Sequence, residues 1–175
     1  MIICEHESDA RRIFEVLPSR FHEHGLELHP DKTRLIPFRR PRRANDTQSW
    51  DFLGFTHYWS RSHKGYWVVK RKTMRKRLAR ALSRIDDWCR MNRHAPVRYQ
   101  HRRLSQAVRG HCGYYGITGN SLSLVLFREG LRKIWRKWLK RRSHAKRQGR
   151  EWWDALSKRY PIPLAHAVHS ILRLT

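Results

Sequence analysis

From Met74 to Leu139 the apolar residues of this chain step by three and four, a rhythm that leaves room for little except helices packed side by side. Met74, Leu78, Ala81, Leu82, Ile85, Trp88 and Cys89 mark one amphipathic helix. After a connection over residues 90–96, Val97, Leu104, Ala107, Val108 and Tyr115 mark a second. Asn120 or Ser121 can cap a third, which carries Leu122, Val125, Leu126, Ile134, Trp135, Trp138 and Leu139. A shorter fourth holds Trp152, Trp153, Leu156 and Tyr160 before Pro161-Ile162-Pro163 stops it.

The first seventy residues follow other rules. Met1 to Cys4 reads as a short apolar strand. Ser8 offers a cap for a helix through Ala10, Ile13, Phe14, Leu17 and Phe21, with a kink or break expected at Pro18 and an end at Gly25. Leu26 to Leu28 and Arg34 to Ile36 read as two more short strands, and residues 37–49 as a loop rich in proline and arginine. Residues 50–59 and 66–70 are aromatic and β-branched, so they are expected to pair as a hairpin across residues 60–65. The fold class is therefore α+β, with a small mixed piece and a β-hairpin ahead of a basic bundle of three to four helices.

Charge narrows the function. Lys and Arg number 39 against 14 Asp and Glu, a formal net charge of +25. Such an excess opposes compaction and points to a polyanionic partner, with nucleic acid ahead of an anionic membrane surface. No stretch approaches the roughly 20 apolar residues of a spanning helix, so no membrane partner is expected. Eight Trp, six Tyr and six Phe supply too much core material for a disordered polycation. Cys4, Cys89 and Cys112 lie far apart without a C-x-x-C, which reads as reduced thiols in a cytoplasmic protein. The opening residues lack both a basic segment and a long apolar run, so no secretory leader is expected. The histidine pairs His22/His24 and His166/His169 lack partners at metal-binding spacing, and no metal site is expected.

The third bundle helix carries Arg128, Arg132, Arg136 and Lys140 at i, i+4 spacing, with Lys133, Lys137 and Arg141 alongside. Like charges so placed repel, so this row reads as a polyanion-binding face. Arg71, Lys72, Arg75, Lys76, Arg77, Arg80 and Arg84 repeat the theme on the first bundle helix. Between the two lies Arg109 and a glycine at every third position: Gly110, Gly113, Gly116 and Gly119. Gly110 and Gly113 are expected inside the second helix, where a missing side chain lets either a partner helix or a phosphodiester chain come close. Gly116 is expected in the left-handed conformation just past the helix end, and Gly119-Asn120 in a turn. Tyr115 is in phase with the core, and Tyr114 is open to core or base stacking. Asp86-Asp87 is the one adjacent carboxylate pair, read as an ion-paired surface rather than a metal site. No nucleophile–base spacing suggests an enzyme.

Residues 25–36 (Gly25-Leu26-Glu27-Leu28-His29-Pro30-Asp31-Lys32-Thr33-Arg34-Leu35-Ile36), Phe52-Leu53-Gly54-Phe55, Lys70-Arg71-Lys72-Thr73 and the opening of residues 109–116, taken in order and spacing, resemble the C-terminal part of a group II intron-encoded reverse transcriptase/maturase. The resemblance covers residues 1–142. It implies a palm remnant over residues 1–36, the loop 37–49, a primer-grip-like hairpin over 50–70, a thumb (domain X) over 71–142, and a basic C-terminal extension with a short helix over 143–175. Lys32 matches a lysine near the incoming nucleotide, and Phe52, Leu53, Gly54 and Phe55 match the primer grip. Arg109, Gly110, Gly113, Tyr114, Tyr115 and Gly116 fall in the thumb signature, from which Cys112 departs where an aromatic is common.

In that family an aromatic-Ala-Asp-Asp hairpin holds the catalytic metals, and no such motif occurs in this sequence. The resemblance thus implies a fragment that keeps a surface for group II intron RNA and template–primer duplex without polymerase activity or a cofactor of its own. Mg2+ is expected for the intact parent alone. A free-standing RNA-binding splicing cofactor and an inert product of a degenerate retroelement are the alternatives.

Overall fold

The computed structural model describes residues 1–43, 48–142 and 149–169. It divides into two compact units, Met1–Trp50 and Asp51–Thr175.

The first unit holds one helix, α1 (Glu7–Glu23). His6 rather than Ser8 occupies the cap position, and Glu7 and Asp9 place negative charge in the first turn, where the helix dipole favours it. The helix runs through Pro18 without the expected break, and Ser19 Oγ donates to the Val16 carbonyl at 2.8 Å. Gly25, at φ 67°, ends it as expected. Its N–H bonds the His22 carbonyl and the Leu26 N–H reaches back to Phe21, the paired bonds of a Schellman end.

None of the three short strands expected between Met1 and Ile36 forms. A strand needs a ladder partner, and Met1, Ile2 and Ile3 stand exposed. Residues 29–33 instead close a turn, with the Lys32 and Thr33 N–H groups and Thr33 Oγ1 all bonded to the His29 carbonyl. The described part of the 37–49 loop forms no helix, and Phe38 packs edge-on against Trp50.

The second unit begins within a three-stranded sheet of order β1 (Ser49–Phe52), β2 (Phe55–Arg61), β3 (Trp67–Thr73). The single strand expected over residues 50–59 is broken because Leu53 and Gly54 both take positive φ, 47° and 82°. Those values suit a tight two-residue reversal of the primed kind. β2 and β3 pair antiparallel from Phe55↔Thr73 to Arg61↔Trp67, closed by a turn in which Gly65 sits at φ 81°.

Four helices follow: α2 (Arg75–Met91), α3 (Val97–Tyr115), α4 (Ser121–Lys140) and α5 (Arg150–Arg159). α4 lies against both α2 and α3. Its Phe127, Leu131, Trp135, Trp138 and Leu139 join Leu104, Val108 and Cys112 of α3 and Cys89 of α2 in one core, with Trp153 and Ile162 from the C-terminal side.

Buried Gln100 fixes the α2–α3 connection. Its side-chain N–H groups bond the Asn92 and Ala95 carbonyls at 2.9 Å, and its Oε1 accepts from Trp135 Nε1 at 2.9 Å. α5 stops just before Pro161, and the chain returns to the end of α3 through a parallel bridge between Ile117 and His169. Residues 143–148 and 170–175 of the basic extension lie outside the described residues.

Candidate nucleic-acid interface

Two short stretches 61 residues apart meet at the tip of the sheet. Tyr114 Oη donates to the Leu53 carbonyl at 2.9 Å. The Phe55 ring stacks on Tyr114 (centroids 6.1 Å apart, planes at 12°) and meets Tyr115 edge-on at 5.3 Å. Gly54 lies so close to Tyr115 that a Cβ there would stand 2.9 Å from its hydroxyl oxygen. Burial pushes that hydroxyl above its ordinary pKa, against the pull of the Arg77 charge.

A fully buried amide locks this junction to the bundle. Asn120 Oδ1 accepts from the Thr73 N–H at 2.9 Å, while Nδ2 donates to Thr73 Oγ1 at 2.9 Å and to the Tyr115 carbonyl at 2.8 Å. One side chain therefore joins the end of β3, the end of α3 and the start of α4. Leu53, by contrast, is 66% exposed in a backbone conformation that costs a non-glycine residue on the order of 1–3 kcal/mol. The fold holds an apolar side chain out at the tip at a cost in strain.

The glycines of the α3 end divide into two kinds. A Cβ on Gly116 would fall 2.1 Å from the Cys112 carbonyl oxygen and 3.1 Å from the Val168 N, so here the backbone itself excludes a side chain. Its φ of −76° corrects the left-handed conformation expected for it. A Cβ at Gly110 or Gly113 would meet nothing within 4 Å, although the Gly113 carbonyl lies 2.8 Å from His169 Nε2. The expectation that a partner helix packs closely on them is overturned, because they lie on the outer face of α3. The glycine that does allow helices to meet is Gly130 of α4, where a Cβ would stand 2.9 Å from two Leu82 methyls of α2.

The cations divide as well. Lys72, Arg75, Lys76, Arg77, Arg80, Arg84 and Arg109 are exposed, Arg71 is half-buried, and Lys72 Nζ lies 4.8 Å from the Tyr58 ring centroid. On α4 the expected row does not form one free face. Arg128, Arg132 and Arg136 are turned towards the C-terminal segment and partly buried, whereas Lys133, Lys137, Lys140 and Arg141 are exposed. Arg128 donates to the Pro163 and Ile162 carbonyls at 2.8 and 3.1 Å and pairs with Glu129. The periodicity is as expected, but α5 and its tail cover one side of the helix. Arg98, Arg102 and Arg103, exposed on α3 with Arg109, are basic residues that the helical reading passed over. Their phase opposite Leu104 and Val108 was the signal.

Asp86 is bound to α4 by Lys137 and by Trp138 Nε1, the latter at 2.9 Å. Burial alone would raise its pKa, but the Lys137 and Trp138 hydrogen bonds and the Lys137 and Arg90 charges hold it below the ordinary value. Asp87 points elsewhere and lies 3.5 Å from Arg90. The pair therefore does not fit a two-metal centre, and among the described residues no three His, Cys, Asp or Glu side chains gather as metal ligands would.

Behind the junction His111 stacks on Phe127, ring centroids 3.8 Å apart, and burial lowers its pKa to about 4. Lys32, in the first unit, is exposed on the 29–33 turn. Among the described residues no helix is long and apolar enough to cross a membrane. No protein-family model matches the chain, and neither a curated protein nor a solved structure does.

Proposed function

We propose that the second unit is a nucleic-acid-binding module of the thumb kind found in group II intron reverse transcriptase/maturases, and that the first unit is the end of such a protein's palm. The meeting of Phe52-Leu53-Gly54-Phe55 with Tyr114-Tyr115-Gly116 carries this reading. The two stretches lie far apart in sequence, and each supplies what the other needs: a carbonyl for Tyr114, a ring for Phe55, and a bare Cα beside Tyr115. Leu53 at the tip then presents an apolar contact to a strand end, with Arg77 close enough to act on Tyr115 and further exposed cations along α2 and α3 to take phosphates. The open space at the Cβ positions of Gly110 and Gly113, next to Arg109, supports the approach of a phosphodiester chain rather than a helix.

The exposed apolar side chains of the first unit, Phe14, Val16, Leu26 and Ile36 among them, favour a fragment of a larger fold over a free-standing splicing cofactor. Asp86 and Asp87 are committed to α4 and Arg90, so the chain by itself binds without polymerising.

Titration of labelled RNA tests the proposal. A structured group II intron RNA is expected to bind at least tenfold more tightly than an unrelated structured RNA of equal length, and to keep that preference at 200 mM salt. Lys76→Gln and Arg80→Gln are each expected to lower the salt slope by about one phosphate's worth. Equal binding of the two RNAs, lost at the higher salt, would leave only a sticky cationic surface.

A further inference from the structure

Between α4 and α5 lies a cavity of about 70 Å³, enough for two waters at about 30 Å³ each or for one tetrahedral oxyanion. Arg128, Arg132, Trp135, Trp153, Ser157 and Tyr160 line it, together with Pro161 and Ile162. Its chemistry is one-sided. Arg132 uses NH1 on both Glu129 oxygens, at 3.3 and 3.1 Å, and its Nε and NH2 have no hydrogen-bond partner among the described residues. Ser157 Oγ has essentially no contact with solvent and, among the described residues, no hydrogen-bond partner. One turn further along α4, Arg136 Nε is likewise buried and unpartnered, its guanidinium 5.8 Å from the centroid of Trp153.

Two guanidiniums, those of Arg128 and Arg132, thus line the cavity against the single carboxylate of Glu129. Arg128 is held in place by backbone carbonyls, and two indoles exclude water from one wall. A buried hydroxyl left unpaired beside two guanidiniums is costly unless a ligand pairs with it, and an anion matches both it and the remaining Arg132 donors.

We propose that this cavity is a binding site for a single phosphate group, held by Arg132 and Ser157 Oγ. The site stands whether or not the exposed basic surface holds RNA. Free inorganic phosphate and the phosphate at the end of a nucleic-acid strand share this chemistry.

The test is the thermal midpoint of the whole chain in millimolar inorganic phosphate, set against sodium chloride at matched ionic strength. Phosphate is expected to raise the midpoint beyond chloride. Ser157→Ala, which changes no charge and fills no space, is expected to weaken the phosphate response about tenfold, and Arg132→Gln to abolish it. An equal response in the parent and both variants, or none beyond chloride in the parent, would overturn the site and leave water as its occupant. Short RNAs with 5′-phosphate and 5′-hydroxyl ends separate the sources. A preference for the phosphorylated end that is lost in Ser157→Ala assigns the pocket to a strand terminus. Equal binding of the two oligomers, beside a retained phosphate response, assigns it to the free ion. Both outcomes support the site.

Discussion

Helices α1 and α2 have the same length, 17 residues, and both are amphipathic, but they end in different circumstances. No residue of α1 is buried, and Ile13, Phe14, Val16 and Phe21 each remain more than a third exposed. α2 buries Cys89 and packs Leu78, Ala81, Leu82, Ile85 and Trp88 onto a core shared with α3 and α4. The periodic pattern makes a face in both cases. A core arises only where a second element brings a matching face, and only then does each apolar side chain add its roughly 1.5–3 kcal/mol. α2 finds α4, with Gly130 letting Leu82 in, whereas among the described residues of the first unit no second helix forms beside α1.

The widest test of that contrast is truncation of one aromatic in each unit. Trp135→Ala, deep in the bundle and bonded to Gln100, is expected to cost about 3–5 kcal/mol in denaturant unfolding. Phe14→Ala in α1 is expected to cost under about 1 kcal/mol. Comparable losses would mean that α1 belongs to the cooperative core, and the contrast would fail.

Acid should come next in size, and it should act on the bundle. The unfolded chain takes up a proton at position 111 near pH 6.5, while the fold refuses it until about pH 4. His111 therefore contributes full stability above pH 6.5 and loses it as pH falls towards 4, at most about 3 kcal/mol. The thermal midpoint of the bundle is expected to drop over that window, and His111→Phe should flatten the slope. An unchanged slope in the variant would assign the acid response to other groups.

The smallest effect sharpens the comparison within one helix. Gly113→Ala adds a methyl where nothing lies within 4 Å, so it is expected to stabilise α3 by up to about 1 kcal/mol. A several-fold loss of RNA affinity alongside that gain would tie the bare backbone to the ligand. A loss of stability instead would show that the outer face of α3 is covered.

Much of this architecture was legible in the chain. The three- and four-residue steps after Met74 give α2 to α5, although in the first half of α4 Leu122, Val125 and Leu126 stand exposed and Leu124, Phe127 and Leu131 are buried instead. Gly25 gives the end of α1, and Asp86 is an ion-paired surface residue, though its partner is Lys137 on α4 rather than a neighbour on its own helix. What failed to show depends on partners distant in sequence. Residues 50–59 read as one strand because nothing local reveals that Leu53 accepts a strained turn in return for Tyr114. The Arg128–Arg132–Arg136 row looked free because what covers it arrives later in the chain, Trp153 over Arg136 and the Ile162 and Pro163 carbonyls on Arg128. A glycine's spacing likewise says nothing of its surroundings: Gly110 and Gly116 share one rhythm, but one faces open space and the other a carbonyl oxygen.

The Asn120 amide has a mechanical consequence. Because it fastens Thr73, Tyr115 and the first turn of α4 together, the Leu53–Gly54 tip is anchored at its base as a bracket is, not hinged as a flap is. On the proposed reading, a strand end arriving at that tip would meet a surface already in shape, so little ordering cost would fall on the encounter. Discrimination at such a tip would be geometric, resting on how well a strand end fits a turn whose base three hydrogen bonds of one buried amide hold in place.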